Sequence, residues 1–210
     1  MLQIKRANTL LACGVFLSLA SALLPGGAQS VIMPQVAASV GGWDYYGLVF
    51  TVGTLATAVF TPLAGRLAER LSRRRIILLG LTLSMLSNLL LPLCPRMELI
   101  VCMRFLSGLG SALMTAPGLT LIGLIFPVGA RVRWMGYYGM LSSACNGFGP
   151  LLGGLCADLL GWPWVYFFSL PLALSGLLLL LRFPAEQDRP TPATGTLDWQ
   201  GLLLLAMGLI

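Results

Sequence analysis

Six apolar runs divide this sequence, at 9–33, 46–67, 76–94, 99–125, 134–156 and 164–181. At ~1.5 Å per residue, helices of about 18 to 27 residues reach across a hydrocarbon core of ~30 Å. A seventh run, "WQGLLLLAMGLI", begins at Trp199. As a helix it would rise only ~18 Å, so it reads as the start of a further span. Charged residues make up 10% of the chain and hydrophobic residues 57%, whereas a soluble domain carries about 25% charged residues. Too little polar surface is available to coat a globule. The expected class is an all-α polytopic membrane protein lying in a lipid bilayer.

The same composition excludes other classes. The net charge of +6 does not point to nucleic acid, because the arginines lie in short segments between apolar spans and form no basic face. The chain has no histidine, which removes the commonest metal ligand and the usual neutral-pH acid–base group. Cys13, Cys94, Cys102, Cys145 and Cys156 form no CxxC pair and fall in or beside apolar runs, so they read as small packing residues. No HExxH, GxSxG or paired membrane carboxylates occur, so no enzymatic reaction has its groups, and no metal or cofactor is expected. The basic start and "LLAC" at 10–13 resemble a secretory leader. However, the apolar stretch before Cys13 is too short for a leader and continues well past it, so the segment reads as a retained first helix.

Arginine and lysine then assign sides. One alternating set of connections holds Lys5, Arg6, Arg66, Arg70, Arg73, Arg74, Arg75, Arg131, Arg133, Arg182 and Arg189; the opposite set holds Arg96 alone, and Arg104 lies inside a span. The bias places the first set, and the N-terminus, in the cytoplasm; the expected location is a cell membrane, of bacterial inner-membrane type. Trp43, Tyr45, Tyr46, Trp134, Trp162, Trp164 and Trp199 fall near span ends, as an interfacial belt would place them.

A repeat runs through the chain. "GRLAERLS" from Gly65 and "GLCADLLG" from Gly154 align at a constant offset of 89 positions, matching Gly65 to Gly154, Ala68 to Ala157, Glu69 to Asp158 and Leu71 to Leu160. The arginines do not repeat: Arg66, Arg70, Arg73, Arg74 and Arg75 face Leu155, Leu159, Trp162, Pro163 and Trp164. Three spans separate the copies, which puts them on opposite sides. The exchange of arginine for apolar and aromatic residues is what an inverted three-helix repeat requires.

Four segments carry a family resemblance. "GRLAERLSRRRI" from Gly65 is similar to G-x-L-A-D-R-x-G-R-[KR], and "RFLSGLGSA" from Arg104 to R-x-x-x-G-x-G. "GFGPLLGG" (147–154) resembles the antiporter motif of a fifth helix, and "GWPWVYFFSLP" from Gly161 resembles G-W-R-W-I-F-x-x-x-P. Together they resemble the major facilitator superfamily, in particular its fourteen-helix drug–proton antiporter branch. "LDWQGLLLLAMGL" is similar to the start of that branch's extra seventh helix. The resemblance implies an N-terminal six-helix bundle over 1–182, made of two inverted three-helix repeats, a cytoplasmic linker over 183–198, and the start of a seventh helix over 199–210. It implies a secondary transporter expelling drug-like or amphipathic small molecules in exchange for protons by alternating access, completed by a C-terminal half. A facilitator of another metabolite class, or a truncated non-transporting membrane protein, are the alternatives. Three departures stand out. Glu69 replaces an aspartate, Ser72 a glycine, and Pro25 the membrane aspartate of helix 1, which puts proton coupling or cation recognition by this half in doubt.

The resemblance also assigns candidate residues. Gly65, Arg66, Glu69, Arg70, Arg73 and Arg74 would form a cytoplasmic gating loop, where topology signalling alone is the other reading. Arg104 is the proton-coupling candidate. Snorkelling to the interface is its alternative, and backbone, Gln29, Glu98, Asp158, substrate or the other half are its possible partners. Gly147, Gly149, Pro150, Gly153 and Gly154 would hinge and seal helix 5, or simply pack closely. Gln29 and Asn146 are substrate-cavity candidates, with interhelical hydrogen bonding the competing role, as also for Ser30 and Asn88.

Overall fold

A computed structural model describes residues 2–183, with side chains from residue 7 onward. All of the linker and seventh-helix expectation except Phe183 lies outside the described residues. Among the described residues seven α-helices follow one another: α1 (Leu2–Val40), α2 (Tyr46–Leu71), α3 (Arg73–Leu90), α4 (Met97–Ile125), α5 (Val128–Leu159), α6 (Pro163–Phe167) and α7 (Ser169–Arg182). Among the described residues, five helical stretches are long and apolar enough to cross a membrane: Ala7–Val40, Trp43–Leu71, Arg73–Leu93, Met97–Ile125 and Pro163–Arg182. The chain is a multi-pass membrane protein. α5, at 32 residues, is long enough to cross but not among them, because glycine, serine, tyrosine and Asn146 dilute its apolar content.

The sixth span is α6 and α7 in series, joined at Phe168. Pro171 has no N–H to give the carbonyl four residues back and crowds it, which breaks the helix at this point. The Ser169 hydroxyl donates to the Tyr166 carbonyl at 2.6 Å and satisfies one of the acceptors at the junction. Polar residues inside the spans are accommodated similarly. Thr54, Thr57 and Ser111 each donate to a carbonyl of their own helix, removing the cost of a bare hydroxyl in an apolar medium.

The packing has the symmetry of the sequence repeat. α1 packs against α5 and α7, and α4 packs against α2 and α3. Exchanging α1–α3 for α4, α5 and the α6–α7 span converts one set of interfaces into the other. Each interface crosses at a pair of glycines, where the absence of Cβ lets backbones touch. A Cβ at Gly80 would stand 2.7 Å from the Gly110 carbonyl oxygen, and one at Gly176 3.1 Å from that of Gly14. One at Gly149 would stand 3.0 Å from the Gly27 Cα, and one at Gly108 would collide with the Gly53 carbonyl.

Two apolar clusters occupy opposite ends of the bundle. One joins the start of α1 and α3 to the ends of α4 and α7, around Leu11, Ile77, Leu121 and Leu180. The other joins the end of α1 and the starts of α2 and α4 to Ala157 and Tyr166. Residues 65–76 therefore lie at one end and 157–163 at the other. Ring contacts mark both ends, with Phe126 stacked on Trp134 at 4.9 Å and Trp43 on Tyr46 at 5.9 Å.

The repeated segment corrects one expectation. The charged stretch is not a loop. Gly65 to Leu71 form the end of α2, Arg73 begins α3, and Ser72 alone separates them. Arginine is a good helix former, so the helices run past the apolar run into the charged segment. The two copies end alike. The Ser72 N–H bonds the Ala68 carbonyl, and the Gly161 N–H bonds that of Ala157. Ser72 has φ 108° and Gly161 φ 97°, a region that suits glycine. Ala68 and Ala157 are both buried.

Ser72 is thus the strained copy of a turn that its counterpart makes with glycine. Its hydroxyl accepts the Arg75 N–H at 3.3 Å, a cap whose replacement by glycine costs only a few tenths of a kcal/mol. Relief of the positive φ is worth about 1 kcal/mol. Ser72→Gly is therefore expected to raise stability slightly, read as a higher midpoint of thermal unfolding in detergent. A lower midpoint would show that the cap outweighs the strain.

Candidate functional site

A cavity of about 340 Å³ opens between α1, α2 and α4. Its polar lining comes from Gln29, Thr54, Thr57, Arg104, Ser107 and Ser111, with Pro25 and Phe50 among its apolar neighbours. Local sequence explains the placement. Arg104, Ser107 and Ser111 follow one another at helical spacing along α4, and Thr54 and Thr57 do the same along α2. The close crossing at Gly53 and Gly108 brings those faces together. A second cavity, of about 380 Å³ between α1, α5 and α7, is apolar, lined by Leu24, Leu152, Val165, Phe168 and Leu172 among others.

Arg104 is 5% exposed. Its Nη2 donates to the hydroxyl of Tyr166, and its Cζ lies 5.2 Å from the centre of that ring. The Arg104 Nε is buried and has no acceptor among the described residues. The guanidinium thus packs inside the protein against Tyr166. Tyr166 is fully buried, on the short helix after the Gly161 turn. No spacing rule pointed to it, because it lies 62 residues from Arg104 in a stretch where every neighbour is also aromatic or apolar. Asp158 and Gln29 do not hydrogen-bond Arg104 among the described residues. Asp158 instead accepts from Gln35 Nε2 at 3.0 Å. Gln29 donates to the Val49 carbonyl at 3.3 Å while lining the same cavity as Arg104.

The other candidates are dispersed. Asn146 is exposed on α5, donates to the Ser142 carbonyl at 2.8 Å, and is not among the residues lining the Arg104 cavity. Ser30 is also exposed. Asn88 is buried and donates to the Ser169 hydroxyl at 3.0 Å, tying α3 to α7. In the helix 5 motif, Gly149 and Gly153 face α1, where a Cβ on Gly153 would collide with Ala28. A Cβ on Gly154 would meet Val31 at 3.3 Å, whereas one on Gly147 would meet nothing within 4 Å. Pro150 lies between these faces, half-buried.

At the α2–α3 junction, Arg66, Glu69 and Arg70 are exposed and Arg73 is buried. Arg74 donates from Nε to the Leu180 carbonyl at 2.7 Å and from Nη2 to the Leu181 carbonyl at 2.9 Å. It caps the end of α7 where carbonyls lack helical partners and the helix dipole favours a cation. A Cβ on Gly65 would meet nothing within 4 Å.

A pseudo-symmetric bundle of membrane-crossing helices, apolar outside and holding a polar cavity with a buried arginine, is the architecture of one half of a membrane carrier. The chain belongs to the Major Facilitator Superfamily, whose family model matches residues 10–208. It is 26% identical over 203 residues to the multidrug transporter protein MdtP of Bacillus subtilis, covering 97% of this chain and 37% of that protein. It is 30% identical over 197 residues to the multidrug resistance protein Stp of Mycobacterium tuberculosis, covering 93% of this chain and 36% of that protein. The multidrug efflux pump SdrM of Staphylococcus aureus is 25% identical over 178 residues, with 83% and 39% covered. The chain thus spans less than half the length of these curated relatives.

Proposed function

We propose that the chain supplies the N-terminal wall of a secondary transporter that expels drug-like or amphipathic small molecules by alternating access, coupled to protons. The observation that carries this reading is the cavity between α1, α2 and α4, with buried Arg104 and the polar side chains of Gln29, Thr54, Thr57, Ser107 and Ser111 in its lining; the multidrug relatives support it. In this reading residues 1–182 form the bundle, 183–198 a cytoplasmic linker and 199–210 the start of a seventh helix. Exposed Arg66, Glu69 and Arg70 meet the second bundle as a cytoplasmic gate while Arg74 anchors α3 to α7. Gly147, where a Cβ would meet nothing within 4 Å, gives the second bundle a close approach along α5, with Pro150 as the hinge and Gly154 packing toward α1. Arg104 acts in coupling by biasing a titrating group elsewhere.

The product of the complete gene, reconstituted in vesicles, tests this with a panel of amphipathic dyes of either charge. The expected result is dye movement driven by an imposed pH gradient and a matching change in lumen pH. Absence of movement for every dye would overturn the transporter reading. Dye movement without a pH change would favour a facilitator. One observation supports that second reading: the described carboxylates, Asp44, Glu69, Glu98 and Asp158, all sit at helix ends.

Sidedness is a separate expectation. With the N-terminus in the cytoplasm, a cysteine replacing Arg70 reacts with an impermeant maleimide from the cytoplasmic side, and one replacing Leu160 from the outside. Reaction of both from one side would remove the inverted arrangement.

A further inference from the structure

We propose that the cavity between α1, α2 and α4 contains a subsite for the anionic group of a transported compound, a carboxylate or similar monoanion, at its Gln29–Arg104–Ser107 end. The inference rests on the transporter reading and deepens it by naming the charge class of the substrate. Three observations carry it.

The first is an uncompensated charge. Arg104 is 95% buried, its described partner is the neutral Tyr166 hydroxyl, and its Nε has no acceptor among the described residues. A guanidinium held in a bilayer-spanning bundle without a counter-charge is costly, and an anion in the adjoining cavity supplies what is missing. The second is the lining itself. It contains no aspartate or glutamate, and the described carboxylates lie at helix ends. The cavity therefore has one sign of formal charge, in a medium where charge is weakly screened.

The third is the placement of donors. Ser107 lies one turn from Arg104 on the cavity face, and its hydroxyl makes no hydrogen bond among the described residues. The Gln29 amide gives one hydrogen to the Val49 carbonyl and has a second to offer. Farther along, Thr54, Thr57 and Ser111 spend their protons on backbone carbonyls. With their protons so engaged, they offer an anion no donor there. The donors thus confine the anionic group to one end and leave the rest of the cavity, beside Phe50 and Pro25, for the uncharged part of the molecule.

The test measures equilibrium binding to the complete gene product in nanodiscs, using 1-naphthylacetate and the matched cation (1-naphthylmethyl)trimethylammonium. The acetate is expected to bind at least about tenfold more tightly. Arg104→Gln should weaken acetate binding about tenfold without weakening the ammonium, and Arg104→Lys should restore most of it. Ser107→Ala, which leaves the buried Arg104–Tyr166 pair in place, should weaken acetate several-fold and keeps the test decisive if Arg104→Gln does not fold. Equal or tighter binding of the ammonium, or acetate binding indifferent to these changes, overturns the subsite. Efflux of the ammonium alone would overturn it while leaving the transporter reading standing, and failure of both probes to bind or move overturns the two together.

Discussion

Gly108→Val is expected to be the most damaging single substitution in the bundle. A Cβ at this position would collide with the Gly53 carbonyl and stand 3.0 Å from the Ala56 Cβ. The obstacle is backbone, so no side chain can swing aside. The only relief is to separate α2 from α4, which also breaks the bond from the Thr57 hydroxyl to the Gly108 carbonyl at 3.0 Å. Two residues on, on the opposite face of α4, Gly110 holds α3 closely as well, with a Cβ there 2.7 Å from the Gly80 carbonyl oxygen, so α4 cannot shift without disturbing a second interface. Overpacking in a core costs about 1–3 kcal/mol, and backbone contact on both sides puts this case at or above the upper end. The measurement is thermal unfolding in detergent, followed by a thiol-reactive dye in a background where Cys13, Cys94, Cys102 and Cys156 are replaced by serine, so that the signal reports exposure of buried Cys145. Gly129→Ala, where a Cβ would meet nothing within 4 Å, is the control and should leave the midpoint almost unchanged. Equal midpoints for both variants would mean that the glycine crossing does not hold the helices together.

Tyr166→Phe is the second large effect. The substitution keeps the ring beside Arg104 but removes the hydroxyl that accepts from Nη2. A hydrogen bond to a charged group contributes about 1.5–3 kcal/mol, and the loss here leaves a buried guanidinium less satisfied still. Deleting the whole ring in Tyr166→Ala also leaves a cavity at a fully buried site, which by itself costs about 3–5 kcal/mol. Arg104→Met removes the charge itself, and replacing a buried ion by an apolar side chain is often neutral or stabilising. The double variant Arg104→Met with Tyr166→Phe should therefore be markedly more stable than the sum of the single effects implies. Additive effects in that cycle would show that the two side chains do not support each other.

The outcome at Ser72 shows how far local sequence reaches. Glycine at the matching position, 161, and serine at 72 both adopt a positive φ, so a turn was legible from the motif even where its usual residue is missing. The helical state of the flanking arginines was not, since a cluster of charges reads equally as a solvated loop or as a helix end. The break in the sixth span needed Pro171 to be placed in a helix before its missing N–H mattered.

Arg104 marks the same boundary at the site. Its burial follows from one arginine within an apolar run, and Gln29 reaches the same cavity through the polar pattern of its span. Tyr166 and Ser107 carry no comparable signal, because a tyrosine among aromatics and a serine among small residues look like packing.

Hydropathy, arginine sidedness and the 89-residue echo are sums over neighbouring positions. The sequence alone therefore determined a membrane bundle made of two related triplets of helices. Which glycines meet, which carbonyls Arg74 caps, and the meeting of Arg104 with a phenol from a distant helix were decided only in the folded bundle. Contacts between segments far apart in the chain depend on helix rotation and depth, and these are fixed by the fit of whole helix faces rather than by any local pattern.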